Sequence, residues 1–134
     1  MPVTRGHAAI TTLLLVALLS PGCKKSSTAP AAINPTVANN ADSFSYQAHY
    51  DGHTGVENYS WQNTGTMADV IQVSSLSSGL GTLTIQDGVG AQVYQDGLSA
   101  AGTVQSAAGA AGTWNVRVDY ANLKGTVNFS VRKH

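Results

Sequence analysis

The stretch WNVRVDY, residues 114–120, decides the fold, because every second side chain in it is large and apolar or aromatic. Successive side chains of a β-strand point to opposite faces, so this alternation predicts a strand with one buried face. FSYQAHY at residues 44–50 and VNFSV at residues 127–131 repeat the pattern. Burial on one face is typical of antiparallel sheets, since parallel sheets are covered on both faces.

Further runs of this type fill the region between these segments. They cover residues 56–62, 66–74, 82–86, 91–95 and 103–106. Asp-Gly pairs at 51–52, 87–88 and 96–97 are turn dipeptides that we expect to separate strands, and Gly125 marks a further break. The sequence therefore predicts an all-β fold, an antiparallel, jelly-roll-like β-sandwich of seven or eight short strands.

The composition fits one small globular domain. The chain has 134 residues, of which 43% are hydrophobic and 10% are charged, and its formal net charge is zero. This balance argues against disorder, and it offers no basic surface for a nucleic acid. A single cysteine cannot form an internal disulfide, so strand pairing and packing must hold the fold together.

The N-terminus has the pattern of a secretory signal. Arg5 precedes an apolar segment, residues 8–19, which is shorter than the roughly 20 apolar residues that a membrane-spanning helix needs. Small residues and a proline then lead to Cys23 in SPGCKK, residues 20–25. We therefore expect residues 1–22 to be a signal peptide.

This N-terminus resembles that of bacterial lipoprotein precursors, in which an apolar run ends in a Leu-small-small-Cys box. The resemblance implies cleavage between Gly22 and Cys23 and covalent diacylglycerol and acyl chains on Cys23, with no other cofactor. It departs from the box at Leu19, which stands one place early, and at Pro21. The alternative is an ordinary signal that is cleaved near Gly22 and leaves a free thiol, a liability in an oxidising envelope.

The resemblance also implies a location in the bacterial cell envelope, with the membrane as a partner through the lipid anchor. Lys24, in place of an acidic residue, favours delivery to the outer membrane under the rule known for some bacterial lipoproteins. Residues 23–41 contain Pro30 and Pro35 among small and polar residues, so we expect the lipidated cysteine to be followed by a flexible tether. The folded domain is then residues 42–134.

A second resemblance covers most of this domain. DSFSY at 42–46, GTLTIQDGVGAQVY at 81–94 and AGTWNVRVDYANLKGTVNFSV at 111–131 follow one another as in the bacterial pre-peptidase C-terminal domain and related jelly-roll modules. This resemblance implies a non-catalytic module that aids secretion or substrate adhesion. The present chain differs from that setting, because it carries its own anchor signal in place of a peptidase.

One candidate site is a metal centre at His49, Asp51 and His53. In a continuous strand these side chains share one face, and two imidazoles with a carboxylate could hold zinc or a similar ion. The alternative is a solvated hairpin end, because Asp51-Gly52 is a turn signal that would break this face.

A second candidate site is a sugar-binding platform at Trp61, Gln62 and Asn63. The indole could stack on a sugar ring while the two polar side chains bond its hydroxyls. The alternative is that Trp61 packs in the core and that a polar turn follows it.

Catalysis has little support in the sequence. There is no G-x-S-x-G elbow, and Glu57 is the single glutamate, which excludes a paired-glutamate glycosidase. We therefore expect a lipid-anchored binding, adhesion or accessory module and not an enzyme. An exposed Trp61 would favour a polysaccharide-binding module, whereas buried tryptophans would favour a structural component that contacts an envelope protein.

Overall fold

The structure, a computed structural model, describes residues 31–134, and they form an all-β, sandwich-like fold. Seven antiparallel strands follow one another along the chain: β1 Thr36–Asn40, β2 Ser43–Asn63, β3 Ala68–Val73, β4 Ser75–Gln86, β5 Gln92–Gly97, β6 Ala101–Gln105 and β7 Gly112–Lys133. This part of the chain contains no helix that is long and apolar enough to cross a membrane. The predicted antiparallel β-sandwich of seven or eight strands is thereby confirmed.

β2 and β7 are the longest strands and form the centre of the sheet. They pair over almost their whole length, from Ser43 opposite Arg132 to Asn63 opposite Gly112. Two shorter strands share the other edge of β7, since β3 pairs with its C-terminal end and β4 with most of the remainder. β1, β6 and β5 extend the sheet by pairing with β2, β3 and β4, respectively.

A change of direction near the middle of β2 and β7 folds this long ribbon over on itself. The register of β2 shifts between Asp51 and His53 and again between His53 and Gly55. The start and end of β2 meet as a result, because the Asp42 N–H donates a 2.8 Å hydrogen bond to the Gln62 carbonyl. We call the fold-over region, residues 51–55 of β2 with 78–80 of β4 and 120–124 of β7, the bend.

The core lies between the two layers that the bend creates. The alternating runs of the sequence supply most of it: Phe44, Tyr46, Ala48 and Tyr50 in β2, and Trp114, Val116, Val118, Val127, Phe129 and Val131 in β7, are all buried. Trp61 and Trp114 meet edge to face, with ring centroids 5.7 Å apart, at the end of the sandwich far from the bend. The alternation therefore identifies the buried face correctly in all three runs.

Two of the expected breaks lie in the interior of strands, and a third, Asp96-Gly97, forms the last two residues of β5, directly before a turn. Asp51-Gly52 is part of β2, where Gly52 has a φ of 76°, and Gly125 is part of β7 with a φ of 120°. Gly52 lies at a bulge, which bends a strand without ending it, and pairing continues on both sides of Gly52 and of Gly125. β2 and β7 are consequently 21 and 22 residues long, and each joins two of the predicted runs. Asp87-Gly88, in contrast, does lie in the turn between β4 and β5.

The sheet begins before Asp42, the predicted start of the domain. Thr36–Asn40 form β1 and pair with residues 43–47 of β2, so the predicted tether does not extend to residue 41. Ile33 and Val37 pack against the core as partly buried side chains. The predicted signal peptide, its cleavage site, the lipidated Cys23 and the first part of the tether lie outside the described residues.

Candidate functional site

A group of hydrogen-bonded side chains surrounds the partly buried carboxylate of Glu57, close to the bend. Oε2 accepts hydrogen bonds from the hydroxyls of Tyr46 at 2.9 Å and Tyr59 at 2.5 Å, and Oε1 accepts one from Tyr120 at 3.4 Å. The Tyr50 hydroxyl lies 2.6 Å from that of Tyr46. Because Tyr46 donates to Glu57, Tyr50 donates to Tyr46. We call these five residues the tyrosine–glutamate cluster.

The bend brings the cluster together from distant parts of the sequence. Tyr46 and Tyr50 lie on the inner face of β2 before the bend, and Glu57 and Tyr59 lie on its inner face after the bend. Tyr120 reaches the same space from β7. It covers Gly55, where an added Cβ atom would lie 2.9 Å from the Tyr120 hydroxyl oxygen. A side chain at this position would therefore push Tyr120 away from Glu57.

The cluster is chemically suited to hydrogen bonding and not to attack on a substrate. Burial raises the pKa of Tyr46 and of Tyr50 well above the usual value for tyrosine. The pKa of Tyr59 is raised as well, mainly by burial and secondly by the hydrogen bond to Glu57. These hydroxyls stay protonated at neutral pH, and those of Tyr46 and Tyr59 can donate hydrogen bonds to the side chain of Glu57. The cluster thus fastens one layer of the sandwich to the other.

The three residues of the predicted metal centre do not converge. The ring of His49 lies 3.4 Å from the hydroxyl of Thr126, and Asp51 forms an ion pair with Lys124 at 3.3 Å. His53 lies beyond the first register shift, and its Nδ1 accepts a 3.0 Å hydrogen bond from the Asp51 N–H. Residues 31–134 contain no group of three or more His, Cys, Asp or Glu side chains that could hold a metal ion. The bulge is the physical reason, because it breaks the face that the three residues would share.

The predicted sugar-binding platform is not formed either. Trp61 is fully buried, and its indole N–H donates a 3.1 Å hydrogen bond to the carbonyl of Asn40. Asn63 is buried as well, where its side chain bonds the backbone of the β2–β3 turn. Gln62 alone of the three is exposed. The core alternative for Trp61 is therefore the correct one, and Trp114 is equally buried.

A shallow pocket of about 340 Å³ lies on the outer face of the sheet at the bend. Val56 of β2 and Leu80 of β4 line it from either side of β7, and they are 48% and 79% exposed. Asp119 also lines the pocket, but both of its carboxylate oxygens accept 2.8 Å hydrogen bonds from Arg117. We call Val56, Leu80 and the pocket between them the bend surface.

β6 is an edge strand, and all five of its residues are exposed. In the described part of the chain it pairs only with β3. Its sequence AGTVQ has neither a charged residue nor a proline, two devices by which natural sheets protect their edges. Val104 stands directly opposite the buried Val70 of β3 and is nevertheless 47% exposed. The apolar face of the core therefore continues to an open edge.

The tyrosine–glutamate cluster and the open edge were not predicted from the sequence. A signal for the cluster does exist: Gly55, Glu57 and Tyr59 occupy alternate positions in phase with Trp61. Once Trp61 is placed in the core, strand periodicity also places Glu57 inside. The partners of Glu57 have no comparable signal, because the bend that brings them near depends on pairing with β7.

No protein-family model matches this chain, and no curated protein matches it. A similar solved structure contains accessory secretory proteins 1, 2 and 3 of Streptococcus pneumoniae. The identity is 11%, the match covers 94% of this chain and 99% of the other, and the TM-score is 0.40. Similarity at this level is too small to transfer a function or a partner. The resemblances to lipoprotein precursors and to the pre-peptidase C-terminal domain stay predictions.

Proposed function

We propose that this chain is a non-catalytic, lipid-anchored protein of the bacterial cell envelope whose β-sandwich binds another protein by strand addition at β6. The open edge of β6 is the observation that supports the protein-binding part of this proposal. The SPGCKK sequence at residues 20–25 supports the lipid anchor at Cys23, and Lys24 favours the outer membrane as its destination.

The edge of β6 has the chemistry that an added strand requires. Its outer backbone N–H and C=O groups can pair with an extended segment, which gives affinity through main-chain hydrogen bonds. Val104 adds an apolar contact, because a partner strand with an apolar residue on the inner face would cover it and extend the core beyond Val70. The partner is therefore an extended protein segment with apolar residues at alternate positions.

The interior positions of Trp61 and Trp114 favour this function over polysaccharide binding. Carbohydrate modules of the kind considered above stack sugars on exposed aromatic rings, and both indoles are 0% exposed here. The candidate metal ligands are likewise engaged locally, as with the ion pair between Asp51 and Lys124.

Site-specific photo-crosslinking in intact cells tests the edge. A photoreactive residue at Thr103 in β6 should yield an adduct with another protein, and one at Val89 should not. Val89 is a matched control because it is 78% exposed but lies in the β4–β5 turn. The Thr103 adduct should disappear when Val104→Lys places a charge on the edge. Equal adducts at the two positions, or an adduct that persists in Val104→Lys, would contradict strand addition.

Replacement of Cys23 tests the anchor separately. Cys23→Ala should abolish incorporation of labelled palmitate and release the protein from the membrane fraction, because the acyl chains supply the affinity for the bilayer. Labelling that continues in Cys23→Ala would show that Cys23 is not the modified residue.

A further inference from the structure

We propose that the bend surface faces the bilayer to which the chain is anchored and contacts its lipids. This inference rests on the proposed lipid anchor at Cys23. It assigns a membrane-facing end to the domain, and with it a role for exposed apolar residues that strand addition at β6 does not use.

The first support is the point at which the chain enters the fold. The carbonyl of Ala31 accepts a hydrogen bond from Nε2 of His53, which is part of the bend. From there the chain runs away from the bend along β2, since Thr36 lies opposite Gln47 and Asn40 lies opposite Ser43. The segment that leads back to Cys23 therefore leaves the domain at the bend and not at the opposite end.

The second support is the short distance from the anchor to the bend. Residues 24–30 alone separate Cys23 from Ala31. An extended chain covers at most about 3.6 Å per residue, so Ala31 lies within about 30 Å of the anchored cysteine. The predicted tether of residues 23–41 would have allowed a wider range of orientations. Because β1 takes up residues 36–40, the domain is held near the membrane by its bend.

The third support is the character of the bend surface. Leu80 is the most exposed large apolar residue described, at 79%, and Val56 lies across the same pocket. Asp119, which lines the pocket, is paired with Arg117, and Asp51 of the bend is paired with Lys124. The carboxylate of Glu57 lies on the inner face, where tyrosine hydroxyls donate to it. A tether keeps the local concentration of lipid high, so even a weak apolar contact is populated.

Two exposed positions provide a matched test. Leu80 lies within β4 at the bend, and Val89 lies in the turn after the C-terminal end of β4 with an almost identical exposure of 78%. The full-length lipoprotein with Leu80→Cys or Val89→Cys would be purified from membranes and labelled with a thiol-reactive fluorophore. Cys23 is the only native cysteine, and its sulfur is blocked by the lipid, so the introduced thiol is the one that reacts.

The labelled proteins would be placed in vesicles of phosphatidylethanolamine and phosphatidylglycerol that contain a lipid with a spin-labelled headgroup. Quenching should be severalfold stronger at position 80 than at position 89, and Val56→Ser should reduce the quenching at position 80. Equal quenching at the two positions, or stronger quenching at position 89, would overturn the membrane-facing bend. Mass spectrometry of the Cys23 peptide tests the anchor separately, and a lipidated peptide would uphold it. A Cys23 peptide without lipid would overturn both proposals.

Discussion

Tyr46 and Glu57 lie in the same strand, and the hydroxyl of Tyr46 donates a 2.9 Å hydrogen bond to Oε2 of Glu57 across the core. This contact is possible only because β2 folds back between the two residues at Asp51–Gly55. The hydrogen bond can therefore form only when the bend is in place. It also joins the one glutamate of the chain to the layer that carries β1 and the N-terminal segment.

Removal of the Glu57 carboxylate should destabilise the fold. In Glu57→Ala the buried Tyr46 hydroxyl and the Tyr59 hydroxyl lose their acceptor, and an unsatisfied buried donor costs about 1–3 kcal/mol. Glu57→Gln should lose less stability, because both hydroxyls donate to Oε2 and an amide oxygen in that place can still accept their hydrogen bonds. Urea unfolding followed by tryptophan fluorescence measures the difference, since both indoles are buried in the native fold.

The neighbouring Asn58 gives the control for this experiment. Asn58 is exposed on the opposite face of β2, so Asn58→Ala should change the free energy of unfolding by no more than about 0.5 kcal/mol. If Asn58→Ala lowered the free energy of unfolding as much as Glu57→Ala, the strand in general and not the cluster would be sensitive to substitution.

The tyrosines of the cluster should make the fold labile in alkali. Burial raises the pKa of Tyr46 and of Tyr50 above the value of about 10 that tyrosine has in an unfolded chain. The folded chain keeps protons that the unfolded chain releases, so this stability is fully present below about pH 10 and declines as the pH rises further. The free energy of unfolding should therefore fall from near pH 10 upward.

Tyr46→Phe tests the origin of this decline. The variant has one fewer buried group that resists ionisation, so its stability should fall less steeply above about pH 10 than that of the unchanged chain. A titration of tyrosinate absorbance on the folded protein provides a second measurement and should show phenols that ionise late. Identical slopes for the two proteins would place the alkaline sensitivity outside Tyr46.

The sequence predicts the faces of the strands better than their ends. Phe44, Tyr46, Trp114 and Val116 are buried as the alternation requires, because a side chain's face follows from strand periodicity alone. The Asp51-Gly52 pair suits a hairpin turn and a bulge equally, and pairing with distant residues of β7 decides between the two. The candidate metal centre fails for this same reason.

The edges of the sheet are harder to predict than its core. β1 is short and mostly polar, TVANN, and no apolar alternation distinguishes it from a tether. It becomes a strand because β2 offers a free edge, which is a property of the folded sheet and not of residues 36–40. The open side of β6 is equally invisible in the sequence, since it depends on which strands pair with β3.

Asp87 should make the fold sensitive to acid. Its Oδ1 accepts hydrogen bonds from the N–H groups of Val89 at 3.0 Å and Ala91 at 2.8 Å, and its Oδ2 accepts one from Ala110 at 2.7 Å. These bonds, that from Ala110 above all, hold the pKa of Asp87 below its usual value. Because the folded pKa is depressed, this stability is present above about pH 4 and is lost as the pH falls through the folded pKa.

Asp87→Asn should lower the unfolding temperature at neutral pH and also weaken its dependence on acid. The amide nitrogen cannot accept a hydrogen bond. The variant therefore loses either the bonds from Val89 and Ala91 to Oδ1 or the bond from Ala110 to Oδ2. Asp96→Asn is the matched control, because Asp96 is exposed and accepts a single bond from the Gly97 N–H at 2.7 Å. Circular dichroism melts across the acid range measure both effects, and equal behaviour of the two variants would contradict the role of Asp87.

Gly125 should tolerate no side chain, because two separate requirements meet at this position. Its φ of 120° is unfavourable for any residue with a Cβ atom, and an added Cβ would lie 2.4 Å from the carbonyl oxygen of Ser75. Gly102 in β6 has a similar φ of 107° but nothing within 4 Å of the added atom. Gly102→Ala should therefore cost backbone strain alone, on the order of 1–3 kcal/mol. Gly125→Ala should cost clearly more, since the backbone of β4 must also move away from β7. Urea unfolding of the two variants measures the difference, and equal losses would show that the close approach of β4 to β7 at Gly125 does not constrain the fold.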